Sequence, residues 1–321
     1  MDDNMKVALL EPLGVPGERI EELAAGIRAA GHEFAYFDTK TTDPAELARR
    51  SEGADVVMIA NNPYPAAAFP AEGPRMIAVA FTGIDHVDLA ECKRRGTMVC
   101  NCAGYSDVAV AELAVGLAID VLRKVVAGDA ATRSGHTSAG LVGAEICGKT
   151  VGIVGTGHIG TATGKLFRAF GARVLGYARH ENPEATVAGI EFVGLDELLA
   201  QSDIVCLHIP SNAQTRGFLS ADRIAQMKKG AVLVNCARGA VVDNAALAEA
   251  LRSGHLAGAG IDVYDMEPPL PADYPLVNAP NVVLTPHVAF LTAESMERRA
   301  VIEFDNVTSW LGGHPQNVCE L

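Results

Sequence analysis

The feature that most restricts the possible folds is an alternation of short apolar runs with helix-like segments, which occurs twice along the 321 residues. In the first block "KVALLEP" and "ADVVMIA" predict strands, and in the second block "TVGIVG" and "DIVCLHIP" do so. Strands that alternate with helices pair in parallel through right-handed crossovers. The sequence therefore predicts an α/β protein of two domains, each Rossmann-like or flavodoxin-like with a parallel sheet, and a cleft between them.

The two blocks meet near residue 102, where a long helix, "SDVAVAELAVGLAIDVLRKV", begins soon after. Residues 128–148 are rich in Gly, Ala and Ser and predict an irregular, extended connection. A terminal helix over Thr292–Leu311 is expected to return to the first block. We therefore predict one domain formed by residues 1–102 with 291–321, and a second formed by residues 103–290.

Charge and hydropathy argue against two classes of partner. The formal net charge of −13 opposes nonspecific binding to nucleic acid or to an anionic membrane. No uninterrupted apolar stretch reaches the ~18 residues that a membrane span needs. The start of the chain, "MDDNMKVALLEP", is acidic with a short apolar run, so a secretory signal is not expected.

Seven cysteines are scattered along the chain, and their number is odd. Most lie in apolar runs, where Cys behaves as a small buried hydrophobic residue. Cys100 and Cys102 are only two positions apart, which is a poor start for a zinc site, so no metal site is predicted. Reduced thiols and a cytoplasmic location are expected.

The stretch "VGIVGTGHIGTATGKLF" places Gly155, Gly157 and Gly160 in a G-x-G-x-x-G pattern between a predicted strand and a predicted helix. In a dinucleotide-binding fold the first glycine makes a tight turn and the second lets the backbone approach the pyrophosphate. The third allows close packing of helix and strand, and the helix N-terminus supplies amides and a positive dipole. The pattern alone also fits a turn without a ligand, but its place in a βαβ unit favours a dinucleotide.

The end of the following strand, "LGYARHEN", bears on the choice of cofactor. NAD-binding units usually carry an acidic residue here for the ribose hydroxyls. Ala178 stands at that position and Arg179 follows it, and a guanidinium can pair with a ribose phosphate. We expect a dinucleotide cofactor, NADP or NAD, with NADP favoured. In the alternative, Arg179 is solvated and Glu181 binds the ribose.

Polar residues follow three predicted strands of the second block. Arg238 comes after "VLVNCA", Asp262 and Glu267 lie in "GIDVYDMEPP", and His287 lies in "VLTPHVAF". The carboxyl ends of strands are where open α/β sheets bind ligands. Each of these residues alone would more readily be structural, so the prediction depends on their occurring together. His208, inside an apolar strand, is expected to have a core or supporting role.

The residue types suit the reduction of a 2-oxo acid. Arg238 can bind the carboxylate and polarise the carbonyl group. His287 can donate the proton, since its unperturbed pKa lies near working pH, and a hydrogen bond from the ring to the Glu267 carboxylate would orient the ring and raise that pKa. The hydride would come from a nicotinamide.

Four motifs, "GTGHIG", "NCARGAVVD", "GIDVYDMEPP" and "NVVLTPHVA", resemble in order and spacing those of the D-isomer-specific 2-hydroxyacid dehydrogenase family. Glu267 lies 29 residues after Arg238, and His287 lies 20 residues after Glu267, as in the family's catalytic triad. "TGIDHVDL" and "NCAGYSDVAVAEL" resemble its substrate loop and hinge. The resemblance covers nearly the whole chain.

The resemblance implies a role for further residues. The two domains would be a substrate domain and a dinucleotide-binding domain that close over the substrate, and the long helix with the arm after it would form a homodimer interface. Thr82 and Gly83 would bind the substrate carboxylate through backbone amides beside Arg238. The expected cofactor contacts are Thr156, His158 and Ile159 at the pyrophosphate, and Pro210, Ala237 and Asp262 at the adenosine and nicotinamide portions.

This chain departs from the family around the expected substrate pocket. Ala103, Ser106 and Phe290 stand where many relatives have other residues, and "VAFTG" lacks an arginine that some relatives carry. Phe81, Tyr105 and Phe290 predict a partly apolar pocket wall. The identity of the acid therefore cannot be carried over from any relative.

The sequence as a whole predicts an NAD(P)-dependent reductase that converts a small 2-oxo acid into the D-2-hydroxy acid. One alternative is a nucleotide-sensing interaction protein of the same fold, similar to transcriptional corepressors that resemble the family. Another is oxidation of a different small anion, such as formate or phosphonate. Formate dehydrogenases carry Gln where Glu267 stands, which argues against formate.

Overall fold

A computed structural model describes residues 4–321, so the first three residues of the acidic N-terminal segment lie outside the described residues. The chain divides into two compact units. The first unit comprises Met1–Ser106 with Leu291–Leu321, and the second comprises Asp107–Phe290. The sequence-based boundary at residue 102 therefore falls just before the observed division.

The first unit is built on a parallel sheet of five strands in the order β2-β1-β3-β4-β5. β3 and β4 lie in the middle of this sheet and are buried along their whole length, which explains their unbroken apolar runs. The helix Ala293–Leu311, here the C-terminal helix, packs against α1 in this unit. The other elements are β1 Lys6–Leu9, α1 Gly17–Ala29, β2 Glu33–Tyr36, α2 Pro44–Ser51, β3 Val56–Ile59, β4 Met76–Val79, α3 Leu89–Arg95 and β5 Met98–Cys100.

Two short helices of the first unit begin in the same way. Asp43 caps α2 and Asp88 caps α3, each by accepting a hydrogen bond from a backbone amide of the first turn. Both helices carry a glutamate followed three and four residues later by arginines, which are Arg49 and Arg50 in α2. This spacing places the three side chains on one helix face, where they form ion pairs.

The second unit contains a parallel sheet of seven strands in the order β12-β11-β10-β9-β6-β7-β8. The predicted α/β class with two parallel sheets is thus confirmed. Its elements are α4 Asp107–Arg123, α5 Val125–Arg133, β6 Thr150–Val154, α6 His158–Ala169, β7 Arg173–Tyr177, α7 Pro183–Val187, β8 Glu191–Phe192, α8 Leu195–Gln201, β9 Ile204–Leu207, α9 Ala221–Gln226, β10 Val232–Asn235, α10 Asn244–Arg252, β11 Gly258–Ile261 and β12 Val282–Leu284.

The long helix α4 covers β10, β11 and β12. Its approach depends on two glycines of β11, because a Cβ on Gly260 would lie 2.7 Å from the Cβ of Leu117, and one on Gly258 would lie 2.5 Å from Val121. The apolar but small composition of "AGAGI" is therefore explained by helix packing. No helix within residues 4–321 combines the length and apolar character that crossing a membrane requires.

Three elements differ from the sequence-based expectation. Residues 128–148 are not irregular throughout, because α5 covers their first part and only the rest is extended. Helix-forming alanines in this stretch outweigh the single glycine at position 128. The short elements α7 and β8 were not predicted.

Candidate active site

The predicted catalytic residues follow three neighbouring strands of the second sheet. Arg238 lies just after β10, Asp262 directly after β11, and His287 shortly after β12. Because β10, β11 and β12 are adjacent and parallel, their carboxyl ends meet at one edge of the sheet. The sequence order of these residues thus becomes a side-by-side arrangement in space.

His287 and Glu267 form a pair at this edge. The Nδ1 atom of His287 lies 3.2 and 3.3 Å from the two carboxylate oxygens of Glu267. The histidine side chain is 22% exposed and the glutamate side chain 75% exposed. When Nδ1–H donates to the carboxylate, the ring is oriented and Nε2 remains on the opposite side for another partner.

Phe290 contacts the same imidazole from the side. Its ring centroid lies 5.4 Å from that of His287, with an interplanar angle of 87°, which is an edge-to-face arrangement. The ring of His287 is therefore restrained by the Glu267 carboxylate and by an aromatic neighbour. Phe290, expected to form a wall of the substrate pocket, lies against the predicted proton donor.

Asp262 organises the backbone around His287. The carboxylate is fully buried and accepts hydrogen bonds from Thr285 Oγ1 at 2.6 Å, Val288 N at 2.8 Å and Ala289 N at 2.9 Å. The amide of His287 donates to the Asp262 carbonyl oxygen at 2.8 Å. His287 has φ of 56°, a left-handed conformation that is unfavourable for a residue with a Cβ. These hydrogen bonds stabilise that conformation.

The turn that carries Arg238 is shaped by Asn235. The fully buried Asn235 side chain donates from Nδ2 to the Arg238 carbonyl oxygen at 3.0 Å and accepts from the Ala237 amide at 3.0 Å. A Cβ on Gly239 would overlap the backbone of Tyr264, so only glycine fits there. The guanidinium of Arg238 donates from Nη1 to the Ala237 carbonyl oxygen at 2.8 Å.

The glycine loop has the features of a pyrophosphate cradle. Gly155 has φ of 95° and a Cβ there would lie 2.5 Å from the His208 carbonyl oxygen, whereas a Cβ on Gly160 would overlap the Gly155 carbonyl oxygen. A Cβ on Gly157 would meet no protein atom within 4 Å, so open space lies above that residue. Helix α6 has no side-chain cap. Its first amides can therefore bind an anion that approaches through this space, which fits a dinucleotide.

Side chains around the loop fix its shape. The carbonyl oxygen of buried Thr156 accepts from Asn182 Nδ2 at 2.9 Å, so the segment after β7 is tied to the loop. The exposed His158 has Nδ1 3.5 Å from Asp107 Oδ2, while Ile159 packs against the core. The hydroxyl oxygen of Thr156 is buried and has no partner within the part of the chain that the structure describes.

The segment after β7 exposes Arg179 and leaves Ala178 half-buried. Arg179 Nη1 donates to Gln214 Oε1 at 2.6 Å, which holds the guanidinium toward the loop after β9. Pro210 is exposed in that loop, and its carbonyl oxygen accepts from Thr215 Oγ1 at 2.6 Å. Glu181, the alternative ribose ligand, is also exposed.

His208 lies directly after β9, next to the glycine loop. Burial lowers the pKa of His208 to about 4, so the ring is neutral at physiological pH. Its Nε2 atom is buried without a partner among residues 4–321. These observations agree with the expected core or supporting role.

Thr82 and Gly83 belong to the first unit, in the loop after β4. Thr82 is exposed, and its carbonyl oxygen accepts from Asn101 Nδ2 at 2.8 Å. Next to them, the buried rings of Phe81 and Tyr105 pack with centroids 5.8 Å apart. Two of the three expected pocket-wall residues are thus in contact within this unit.

Sequence reasoning missed three residues that hold the site together: Asn182, Asn235 and Thr285. Each acts through hydrogen bonds to the backbone or to a carboxylate rather than by facing a ligand. Asn235 was detectable in principle, since a buried strand that ends in Asn needs partners for a polar side chain. Asn182 carried no such signal, because its partner Thr156 lies on another strand–helix turn.

Comparison with known proteins agrees with this geometry. Residues 115–289 match the family model for the D-isomer specific 2-hydroxyacid dehydrogenase NAD binding domain. The chain is 40% identical over 246 residues to a glyoxylate reductase of Thermofilum pendens, covering 74% of this chain and 72% of that protein. It is 34% identical over 303 residues to a hydroxypyruvate reductase of Blautia hydrogenotrophica, covering 91% and 93% of the two chains.

Solved structures share the complete fold. An acyclic imino acid reductase in complex with NADPH and D-Arg superposes with a TM-score of 0.86 at 29% identity, covering 98% of this chain and 100% of that one. The family model covers more than half of the chain, and the relatives match it over most of its length. The chain therefore belongs to the D-isomer specific 2-hydroxyacid dehydrogenase family, whose members are NAD(P)-dependent oxidoreductases.

Proposed function

We propose that this protein reduces a small 2-oxo acid to the D-2-hydroxy acid with Arg238, Glu267 and His287 as its catalytic residues. The observation that carries the proposal is the His287–Glu267 pair, with Nδ1 directed at the carboxylate and Nε2 on the other side of the ring. His287 would donate a proton from Nε2 to the substrate carbonyl oxygen. Arg238 follows β10, which is separated from β12 by one strand, and it would bind the substrate carboxylate and polarise the carbonyl group.

The second unit, residues 107–290, would bind the dinucleotide. Gly155, Gly157 and Gly160 with the amides of the first turn of α6 would hold the pyrophosphate, and the open space above Gly157 supports this. Bound NAD(P)H supplies the hydride that is added to carbon 2 of the substrate. The remaining proposed cofactor contacts are Thr156, His158, Ile159, Pro210, Ala237 and Asp262.

The first unit would contribute the substrate contacts, through the backbone amides of Thr82 and Gly83. Relatives named glyoxylate and hydroxypyruvate reductases favour a short substrate. The Phe290 ring also favours a short carbon chain, because it occupies space beside the proposed proton donor His287. We therefore expect glyoxylate or hydroxypyruvate to be reduced more efficiently than 2-oxo acids with bulky side chains.

A panel of glyoxylate, hydroxypyruvate, pyruvate and larger 2-oxo acids, assayed with NADPH and NADH, tests the reaction. His287→Gln should lower kcat by about 10²–10⁴-fold, since it removes the proton donor, while cofactor binding stays within a factor of two or so. His314→Gln, at an exposed position of the first unit, is the control and should leave kcat unchanged. Unchanged turnover of the His287 variant would rule out the proposed role.

We propose further that Arg179 gives preference for NADPH. Ala178 removes the carboxylate that would repel a ribose phosphate, and the exposed guanidinium is held in place by Gln214. Arg179→Gln should lower kcat/KM for NADPH about tenfold or more and change that for NADH little. Arg216→Gln, another exposed arginine of the second unit, is the control. A tenfold preference of the unmodified protein for NADH would overturn this proposal.

A homodimer through α4, α5 and the following arm is also proposed. Val125, Val126 and Val142 are 47%, 57% and 86% exposed, so this region of the second unit presents apolar side chains to solvent. Val142→Glu should shift the protein from dimer to monomer in sedimentation velocity.

A cytoplasmic location is supported by the seven cysteines, all of which are free thiols.

A further inference from the structure

We propose that the first unit carries a second ligand site, which binds a small molecule through its phosphate or pyrophosphate group. The site is a cavity of about 540 Å³, here called the arginine cavity. It is independent of the proposed catalytic function. Its lining includes three arginines, Arg75, Arg94 and Arg95, two glycines, and the side chains of Met98 and Trp310.

The cavity concentrates positive charge in a protein whose formal net charge is −13. Arg94 and Arg95, at the end of α3, share one carboxylate, that of Glu91. Arg75 forms no ion pair with a carboxylate within residues 4–321. Its guanidinium lies over the Trp310 ring, 5.2 Å from the centroid. The lining thus contains three guanidinium groups, two of which pair with the Glu91 carboxylate, and Glu72, in the same loop, is not among the lining residues.

Helix α2 carries a similar cluster of one glutamate and two arginines, and that cluster has a structural role. Glu46 pairs with Arg49 and Arg50 there, as Glu91 does with Arg94 and Arg95. The side chain of Arg50 is only 7% exposed and donates to two backbone carbonyl oxygens, so that cluster is a structural clamp. Arg95 is similarly engaged by the carbonyl oxygen of Pro70.

Arg75 is what the α3 cluster has in addition, since Arg94 corresponds to Arg49 of α2. The Arg94 side chain is 65% exposed at the cavity, and Arg75 reaches it from the loop before β4. Two guanidinium groups that are accessible from one cavity suit a phosphate group, because their N–H donors match phosphate oxygens in pairs.

The remaining lining determines what else a ligand could contain. Gly73 and Gly96 bring backbone rather than side chains to the cavity, and a Cβ on Gly73 would lie 2.8 Å from Arg95 Nη1. Met98 and Trp310 add an apolar surface beside the arginines. The cavity can therefore bind a free phosphate or pyrophosphate ion. It can also bind the phosphate group of a larger metabolite whose apolar part contacts the indole ring of Trp310.

Trp310 makes the site directly measurable, because it is the single tryptophan of the chain. Titration with pyrophosphate at constant ionic strength should change the Trp310 fluorescence saturably, whereas sodium chloride should not. Arg94→Gln should weaken pyrophosphate binding by about tenfold to a hundredfold. Arg49→Gln is the matched control, since Arg49 is 63% exposed and pairs with a glutamate three residues earlier in the same way.

Arg75→Gln removes the cation from the indole and changes the emission itself, so its affinity is measured by calorimetry with pyrophosphate and should fall by a similar factor. ADP distinguishes the two sources of phosphate when binding is followed by the fluorescence of Trp310, which lies at the arginine cavity and not at the proposed dinucleotide cradle: tighter binding of ADP than of pyrophosphate indicates a metabolite, and the reverse indicates the free ion. Gly157→Ala, altered in the proposed dinucleotide cradle, should retain the response. The proposal is overturned if no saturable change occurs in the millimolar range, or if Arg49→Gln weakens binding as much as Arg94→Gln.

Discussion

Replacement of Asp262 with Asn should loosen the backbone segment that carries His287. The Asp262 carboxylate accepts three hydrogen bonds, two at Oδ1 and one at Oδ2, and it is completely buried. An asparagine keeps one acceptor oxygen and turns the other position into an NH₂ donor. In its best orientation the amide keeps the bonds from Thr285 and Val288, and places its NH₂ group against the N–H of Ala289.

The magnitude follows from that single lost acceptor. A buried donor without a partner costs about 1–3 kcal/mol, which corresponds to roughly a fivefold to 150-fold rise in the population of the open segment. The left-handed conformation of His287 adds to the tendency to open, because a residue with a Cβ at φ of 56° is held there by its neighbours. We therefore expect the amides of residues 287–289 to exchange hydrogen faster by that factor.

Hydrogen exchange of the protein without cofactor is the appropriate assay, because a residue that only contacted the nicotinamide would not affect it. Asp265→Asn is the matched control, since Asp265 is exposed and accepts one hydrogen bond, from the Tyr274 hydroxyl at 2.6 Å, which an amide oxygen can also accept. The kcat of the Asp262 variant should fall about a hundredfold if His287 moves by an ångström or so. Equal exchange in wild type and Asp262→Asn would refute the assignment of Asp262 as a positioning residue.

Three other perturbations give distinct outcomes. Gly157→Ala should melt at the wild-type temperature but bind dinucleotide at least about tenfold more weakly. Gly160→Ala should instead lose about 1–3 kcal/mol of folding free energy, because its Cβ overlaps the backbone. Equal melting temperatures of the two variants would contradict this contrast. Burial raises the pKa of Glu303 well above its usual range. The folded state therefore binds the proton more tightly than the unfolded state, and urea denaturation should show stability falling by up to ~1.4 kcal/mol per pH unit as pH rises above ~4.3. Glu303→Gln should make that slope less negative, while the Glu11 carboxyl, whose pKa burial also raises, keeps its own contribution; an unchanged slope would assign it to another group. Phe290→Ala should raise kcat/KM for bulky 2-oxo acids relative to glyoxylate, because the ring beside His287 is removed; an unchanged ratio would place the substrate elsewhere.

The fold and the arrangement of catalytic residues were predictable where a local pattern fixes a position. Parallel strands place their carboxyl ends together, so residues that follow β10, β11 and β12 had to be neighbours once those strands were identified. The glycine pattern likewise predicted where close backbone approaches occur, at Gly155 and Gly160. Both inferences need only the alternation of predicted strands with helices and the position of a glycine turn in the sequence.

Features that depend on contacts between distant segments were not predictable. The role of Asp262 behind His287 depends on amides of a loop more than twenty residues later. Arg75 and Trp310 are 235 positions apart in the sequence and meet only because the C-terminal helix packs in the first unit. Helix α5 was missed for a different reason, since a glycine-containing stretch has a weak pattern whichever structure it adopts.

The strand order of the second sheet separates the residue proposed to select the cofactor from the residue proposed to donate the proton. Arg179 follows β7 and His287 follows β12, and five strand spacings, about 24 Å, separate these two strands. Four strands, β6, β9, β10 and β11, lie between them. On the proposed roles, changes in the segment from Ala178 to Glu181 should alter cofactor use and leave the residues after β10 and β12 in place. New substrates can be sought at that opposite end with the cofactor held constant.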